Sequence, residues 1–254
     1  MKTLRTIAEV KAELAHKTAI GLVPTMGAFH GGHLALIRAA REECETVVVS
    51  VFVNPAQFAE GEDFERYPRD EARDAALAEE AGVDVVFAPS TDELYPPGYQ
   101  TWVDVEELGA ILEGAHRPGH FRGVATVCCK LFNIVRPERA YFGQKDAQQV
   151  TVVRTMARDL NLDVQLRTVS TVRDPDGLAL SSRNAYLSPE QREQALALPR
   201  ALATRDRERA RALLDGLEVD YLEVADFAPR VVAAAVRVGN TRLIDNVVLE
   251  GDSA

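Results

Sequence analysis

Apolar positions recur at helical spacing near the start of the chain. There Thr6-Ile7-Ala8-Glu9 has the S/T-x-x-E order of a capping box and opens a short amphipathic helix through Leu14. Residues 18–23 are apolar and partly β-branched, which predicts a strand. Pro24 and Gly27 then break the chain into a loop that ends at Gly31 and Gly32, after which Leu34, Ile37 and Ala40 resume the helical period and residues 47–53 read as a second buried strand. Strand, helix, strand in that order predicts a parallel pair. The alternation continues with a charged helix over 69–81, a strand over 83–88, a helix over 124–135, a strand over 140–143, a helix over 147–160 and a strand over 164–169. Val47, Val48 and Val49 form an unbroken apolar run, as strands do when helices cover both faces of a sheet. The predicted class is α/β: a Rossmann-like doubly wound parallel sheet of about five strands.

After Val172 the texture changes. Arg173-Asp174-Pro175-Asp176-Gly177 is turn chemistry, and Ser188-Pro189 supplies an N-cap followed by proline at the first helical position. One long helix with Arg- and Glu-rich exposed positions is expected to about residue 215, then three β-like runs around Tyr221, Val236 and Leu243. Two domains follow: a larger one over 1–173 and a small α+β one over 174–254. The charged stretch 205–211 reads as a solvated helix face.

Composition narrows the partners. The chain has 254 residues, 46% apolar and 27% charged, which excludes a disordered or fibrous protein. Twenty-nine Lys and Arg against 39 Asp and Glu leave a charge of −10, which disfavours nucleic acid and favours a small-molecule ligand. The three cysteines, Cys44, Cys128 and Cys129, form no disulfide framework, and the adjacent pair sits in an apolar helix as expected core. A reducing, cytoplasmic setting is expected. Charges at Lys2, Arg5, Glu9, Lys11 and Glu13 interrupt the start of the chain, and residues 46–53 are far too short a run to span a bilayer. No membrane partner is expected.

In open α/β sheets ligands bind beyond the carboxyl ends of the strands, which directs attention to four loops. The first, Pro24-Thr25-Met26-Gly27-Ala28-Phe29-His30-Gly31-Gly32-His33, sets two histidines three apart at a helix start; glycines there let backbone N–H groups approach a phosphate, and imidazole N–H donors add contacts to a charged phosphorus centre. The bland alternative is that His30 and His33 only cap the helix. Zinc is a weaker reading, because His116 and His120 straddle Pro118-Gly119 and share no regular helix face. The second loop, Asn54-Pro55-Ala56-Gln57-Phe58, inserts two amides into an apolar region. The third, Gly143-Gln144-Lys145-Asp146 followed by Gln148-Gln149, offers a cation to a phosphate and a carboxylate to the next helix start. The fourth, Leu180-Ser181-Ser182-Arg183-Asn184, gathers hydrogen-bonding side chains around one fixed cation. Arg122 reads equally as facing a site or solvent, and Asp70 as a metal neighbour or a helix-start carboxylate.

Taken together, HxGH early, GQKD midway and SSRN after a D-x-D-G turn resemble the pantoate–β-alanine ligase family. The likeness runs over residues 23–187 and includes Phe52-Val53-Asn54-Pro55, His116-Arg117-Pro118-Gly119-His120-Phe121-Arg122-Gly123-Val124, Lys130-Leu131-Phe132-Asn133 and Gly177-Leu178-Ala179-Leu180. The resemblance implies an ATP-dependent, Mg²⁺-assisted amide ligation through a pantoyl adenylate, giving pantothenate, AMP and pyrophosphate. It implies that Met26, Gly27, Ala28, Phe29, His30, Gly31, Gly32 and His33 hold ATP, and that His33, His30, Lys145 and Arg183 are the catalytic residues. Gly143, Gln144, Lys145, Asp146, Val172, Leu180, Ser181, Ser182 and Arg183 would serve the nucleotide and its phosphates, Gln57 pantoate and β-alanine, and Gln149 pantoate. It further implies a cytoplasmic homodimer whose smaller C-terminal domain closes over the site. Two features depart from the family's usual pattern: Gly31, where an acidic residue is common, and a C-terminal region that is short between residues 203 and 219. The rivals are a nucleotidylyltransferase that needs no amine and a nucleotide sensor without turnover.

Overall fold

A computed structural model describes residues 1–249. Backbone contacts divide the chain into two compact units, Met1–Phe142 with Val152–Val169, and Gly143–Thr151 with Ser170–Ala254. The elements in chain order are β1 (Lys2–Leu4), α1 (Ile7–Leu14), β2 (Ile20–Thr25), α2 (Gly31–Glu43), β3 (Thr46–Val51), α3 (Glu71–Glu80), β4 (Val85–Phe87), α4 (Thr91–Leu94), α5 (Glu113–His116), α6 (His120–Val135), β5 (Arg139–Gly143), α7 (Ala147–Asp159), β6 (Gln165–Val169), α8 (Pro189–Ala195), α9 (Ala197–Ala203), α10 (Arg207–Leu213), β7 (Glu218–Ala225), β8 (Val231–Val238) and β9 (Thr241–Val248). Among the described residues no helix is long and apolar enough to cross a membrane.

The first unit is built on a six-stranded sheet in the order β1-β4-β3-β2-β5-β6, and β1–β4, β4–β3, β3–β2 and β2–β5 pair in parallel. Val23, Val47, Val49 and Val86 pack against Leu36, Ile37 and Ala40 of α2 and Ala78 of α3. On the opposite pleat Leu22, Val48, Val85 and Phe87 are buried as well, with α6 against β2 and α1. Both faces are therefore covered, which is why these strands carry apolar runs. The sheet holds one strand more than the sequence pattern predicts. β1 is three residues at an edge, with Lys2 and Thr3 exposed, and so leaves no apolar signature. β6, at the other edge, is mostly exposed.

The second unit packs α8, α9 and α10 against an antiparallel sheet, β7-β8-β9, around Leu178, Leu198, Leu202, Leu214, Leu222, Val236 and Leu243. The single long helix expected here is three short ones. Pro199 has no N–H to donate back to Ala195, which separates α8 from α9, and Arg205 takes a left-handed φ of 52° before Asp206 caps α10. β8 and β9 are joined through Gly239 and Asn240, with Gly239 at φ 56°, the backbone geometry a two-residue hairpin demands.

Candidate functional site

The order of the first sheet pivots at β2, which has β3 on one side and β5 on the other, and the loop after β2 is built from its own polar atoms. The Thr25 hydroxyl donates to the Ser50 carbonyl at 2.6 Å and accepts the Gly27 N–H at 3.2 Å. Gly27 and Ala28 follow with φ of 84° and 53°, a kink that aims the N–H groups of Ala28 and Phe29 at the Asp74 carboxylate of α3, each at 2.7 Å. Asp74 is only 2% exposed. The loop thus forms an anion-binding turn whose anion is one of the protein's own carboxylates.

His30 is the N-cap of α2. Its Nδ1 accepts the Gly32 N–H at 3.1 Å, and His33 Nδ1 accepts the His30 N–H at 3.4 Å, so the two rings form a capping box. A ring nitrogen that accepts a backbone N–H carries no proton, which places the proton of each neutral ring on Nε2 and makes that atom a donor. The rings lie 4.2 Å apart, and His33 is 5.4 Å from Phe29. Capping and donation are therefore compatible roles of the same two residues. The N–H groups of Gly27, Ala28, Phe29, His30 and Gly32 already donate within the loop or to Asp74.

Gln57 ends a 3-10 turn, Pro55–Gln57, capped by Asn54. The residue is 9% exposed; its side-chain Nε2 donates to Met26 Sδ at 3.2 Å, and Oε1 accepts from Asn54 Nδ2 at 3.1 Å. The first and second loops are thereby brought together. Gly123 of α6 lets the turn approach, since a Cβ there would stand 2.3 Å from the Ala56 carbonyl oxygen and 2.7 Å from Gln57 Cα. The Gln57 carbonyl accepts from Arg117 Nη2 at 3.3 Å and from His120 Nδ1 at 2.9 Å, while Arg117 holds Glu62 through two bonds of 2.7 Å. Burial alone would raise the Glu62 carboxyl, but the Arg117 guanidinium outweighs it and holds the group below the usual carboxylate range. His120 thus supports the second loop, and with the Arg117–Glu62 pair it has a structural explanation that needs no zinc. Among the described residues no group of three His, Cys, Asp or Glu side chains is placed to hold a metal ion.

In the second unit, Gln144–Asp146 form a 3-10 turn ahead of α7, and Ser182–Tyr186 form another after the Arg173–Ala179 bridge. Both turns lie against β9. Asn246 of β9 donates through Nδ2 to the carbonyls of Gln144 at 2.9 Å and Lys145 at 2.8 Å, and its Oδ1 accepts from Gln144 Nε2 at 3.1 Å. Lys145 Nζ is 3.4 Å from Asp146. Gln149 and Val172 are half-buried. Ser181 caps the second turn by accepting the Arg183 N–H at 3.3 Å, and Asn184 Nδ2 donates to the Ala179 carbonyl at 3.0 Å.

Other sequence-selected residues have structural explanations. Asp70 is exposed and caps α3, accepting the Arg73 N–H at 3.0 Å. Arg122 is exposed, its guanidinium 4.8 Å from the centre of the Trp102 ring. Cys128 is buried and its thiol pushed up to about 12 by burial, but Cys129, expected in the core beside it, is only half-buried. Local sequence held no sign of Asp74, Glu62 or Asn246, because each acts on residues far from it along the chain.

A parallel sheet with histidines at a helix start beyond its pivot strand, and with an amide-rich second loop packed beside them, defines an α/β enzyme of the nucleotide-handling kind. Residues 2–248 match the model of the pantoate-beta-alanine ligase family, and the chain belongs to that family. The pantothenate synthetase of Heliobacterium modesticaldum is 53% identical over 98% of this chain and 100% of its own length. That alignment spans 285 positions, more than the 254 residues present here, so the relative carries stretches this chain lacks. The crystal structure of pantothenate synthetase from Thermus thermophilus is 48% identical, covers 98% of this chain and 99% of its own, and superposes with a TM-score of 0.93. A pantoate-beta-alanine ligase from Francisella tularensis, complexed with beta-gamma ATP and beta-alanine, is 33% identical over the whole of both chains with a TM-score of 0.89.

Proposed function

We propose that the protein condenses (R)-pantoate with β-alanine at the expense of ATP. A pantoate carboxylate oxygen attacks the α-phosphorus of ATP and pyrophosphate leaves; the β-alanine amine then attacks the acyl carbon of the adenylate, AMP leaves and the amine loses a proton. The observation that carries this reading is the paired-histidine cap, which fixes Nε2 of His30 and His33 as donors on the loop whose Met26 meets Gln57. Donors of this kind strengthen as charge develops on the transferring phosphate and its leaving group. Gln57 is an uncharged amide and orients the incoming carboxylate without the loss of nucleophilicity a cation would cause, and Gln149 is assigned to the same substrate. Lys145, Ser182 and Arg183 are assigned to the phosphates, and Gly143, Gln144, Asp146, Val172, Leu180 and Ser181 to the rest of the nucleotide. Mg²⁺, carried by the ATP phosphates rather than by a protein cage, would supply charge neutralisation there. A cytoplasmic homodimer completes the proposal, and light scattering that gave twice the chain mass would support its assembly state, the chain mass alone refuting it.

The test is AMP release from ATP, pantoate and β-alanine: full release needs both co-substrates, and AMP formed at the same rate without the amine defeats the ligase reading. Pantoate-dependent exchange of labelled pyrophosphate into ATP isolates the first step. His33→Ala and Lys145→Ala are each expected to slow it by about a hundredfold or more, the scale of losing one transition-state donor. Near-normal exchange in both removes them from the chemistry.

A further inference from the structure

Neither Asp245 nor Asn246 belongs to the substrate-facing loops, yet both are almost fully buried, at 2% and 4% exposure, and both spend their polar atoms on the approaches to those loops. They are neighbours on β9, so their side chains leave opposite faces of the strand. On one face Asn246 uses its carbonyl and its amide on the Gln144–Lys145 segment, in three bonds of 2.8–3.1 Å. On the other, Asp245 holds Arg173 in a two-pronged pair at 2.6 and 3.1 Å, and Arg173 also donates to the Gly177 carbonyl at 3.2 Å across the turn that leads into Leu180. Asp245 Oδ1 further accepts the Asn246 N–H at 2.8 Å, which ties the Asp245 side chain to the backbone of its neighbour. A buried asparagine whose polar groups all point at one 3-10 turn is more than a satisfied core residue, because Leu or Val would fill a strand position without needing partners.

We infer that the Asp245–Asn246 step of β9 is a positioning element for the ligation, setting the Lys145 backbone from one face of the strand and the entry to Ser181–Arg183 from the other. Asn246 touches no reacting atom. It acts through Lys145, whose ammonium must stand within hydrogen-bond reach of a phosphate, and an error of about 1 Å in such a group costs on the order of a hundredfold in rate. The inference rests on the proposed ligase reading and on Lys145 serving the phosphates.

Asn246→Asp keeps the size and exchanges the donating amide for a carboxylate oxygen facing two carbonyls; Asn246→Ser retains one donor and is expected to lie between it and the parent. In pyrophosphate exchange, Asn246→Asp is expected to lower kcat by about tenfold or more and raise the KM for ATP, with the KM for pantoate within about twofold and the fraction folded unchanged at assay temperature. Unchanged ATP parameters in a folded variant overturn the inference, as does a loss that raises both KM values alike. Should Asn246→Asp not fold, the same comparison is read on Asn246→Ser. A parent protein with no pantoate-dependent exchange would sink the ligase reading instead. Calorimetric ATP affinity then decides the positioning claim, equal values in parent and variant refuting it.

Discussion

At the scale of single residues, the first loop turns on Asp74. Its carboxylate satisfies two adjacent N–H groups at 2.7 Å in a 2% exposed position, and those N–H groups belong to the residues that lead directly into His30. Asp74→Asn leaves one oxygen to accept and turns an NH₂ toward the second donor. A buried donor left unsatisfied costs about 1–3 kcal/mol, so the melting temperature should fall, and pyrophosphate exchange should fall further as the histidine cap loses its approach. Unchanged melting and exchange would show that the loop holds its shape without the carboxylate. Gly27→Ala attacks the same spot from the other side: φ is 84° and the added Cβ would stand 2.9 Å from Asp74 Oδ2. The need for a small residue at Gly27 was legible in the loop's composition. Its partner was not, since Asp74 lies in a charged helix where an aspartate is unremarkable and nothing local says which carboxylate turns inward.

At the scale of elements, signals that lie within one turn of chain were readable and those that join distant segments were not. The capping box expected at Thr6 with Glu9 is formed, and Ser188, expected as an N-cap ahead of Pro189, caps α8 and adds a box with Gln191. The apolar runs of β2, β3 and β4 marked the core of the sheet because burial on both faces leaves no alternation to confuse with a helix. β1 escaped notice because an edge strand gains its order from pairing with β4, a partner some 80 residues away, as in the Lys2–Val85 register. The split of the expected C-terminal helix was announced by Pro199 and Asp206, but the charged pattern over 205–211 continued the helical period and concealed it. The support of Gln57 by α6 is the functional case. Gly123→Ala would press a methyl into the Ala56 carbonyl, a backbone contact that cannot rotate away. Overpacking of this kind costs about 1–3 kcal/mol. If the strain is relieved by moving the Gln57 turn, the KM for pantoate rises by roughly tenfold to a hundredfold while the KM for ATP moves little. Steady-state titration of each substrate checks this, and equal shifts in both would mean that α6 has moved as a whole.

At the scale of the whole molecule, the chain carries an excess of acid, 39 carboxylate side chains against 29 cations, and its acid sensitivity follows from where those carboxylates sit. Glu62 in the first unit and Asp220 in the second are half-buried and held by arginines. Burial would raise Asp220, but Arg242 and Arg237 flank it and hold it below the usual range, as Arg117 does for Glu62. The exposed Glu9, Glu190 and Asp176 are lowered too, Glu9 by backbone N–H bonds at its helix start. A carboxyl whose folded value lies below its unfolded one stabilises the fold fully above the unfolded value, near pH 4, and loses that contribution as pH falls through the depressed value. Glu9, Glu62, Asp176, Glu190 and Asp220 are all lowered, so these five groups act together. The melting temperature should therefore stay level from neutrality to about pH 5 and drop steeply below about pH 4. Glu62→Gln and Asp220→Asn in one chain remove two of these contributions at neutral pH. The double variant should melt lower than the parent at pH 7 and converge on it at the acid end, as calorimetry from pH 7 to pH 3 would show. Curves that stay parallel across that range would mean the two ion pairs hold the fold by packing rather than by charge.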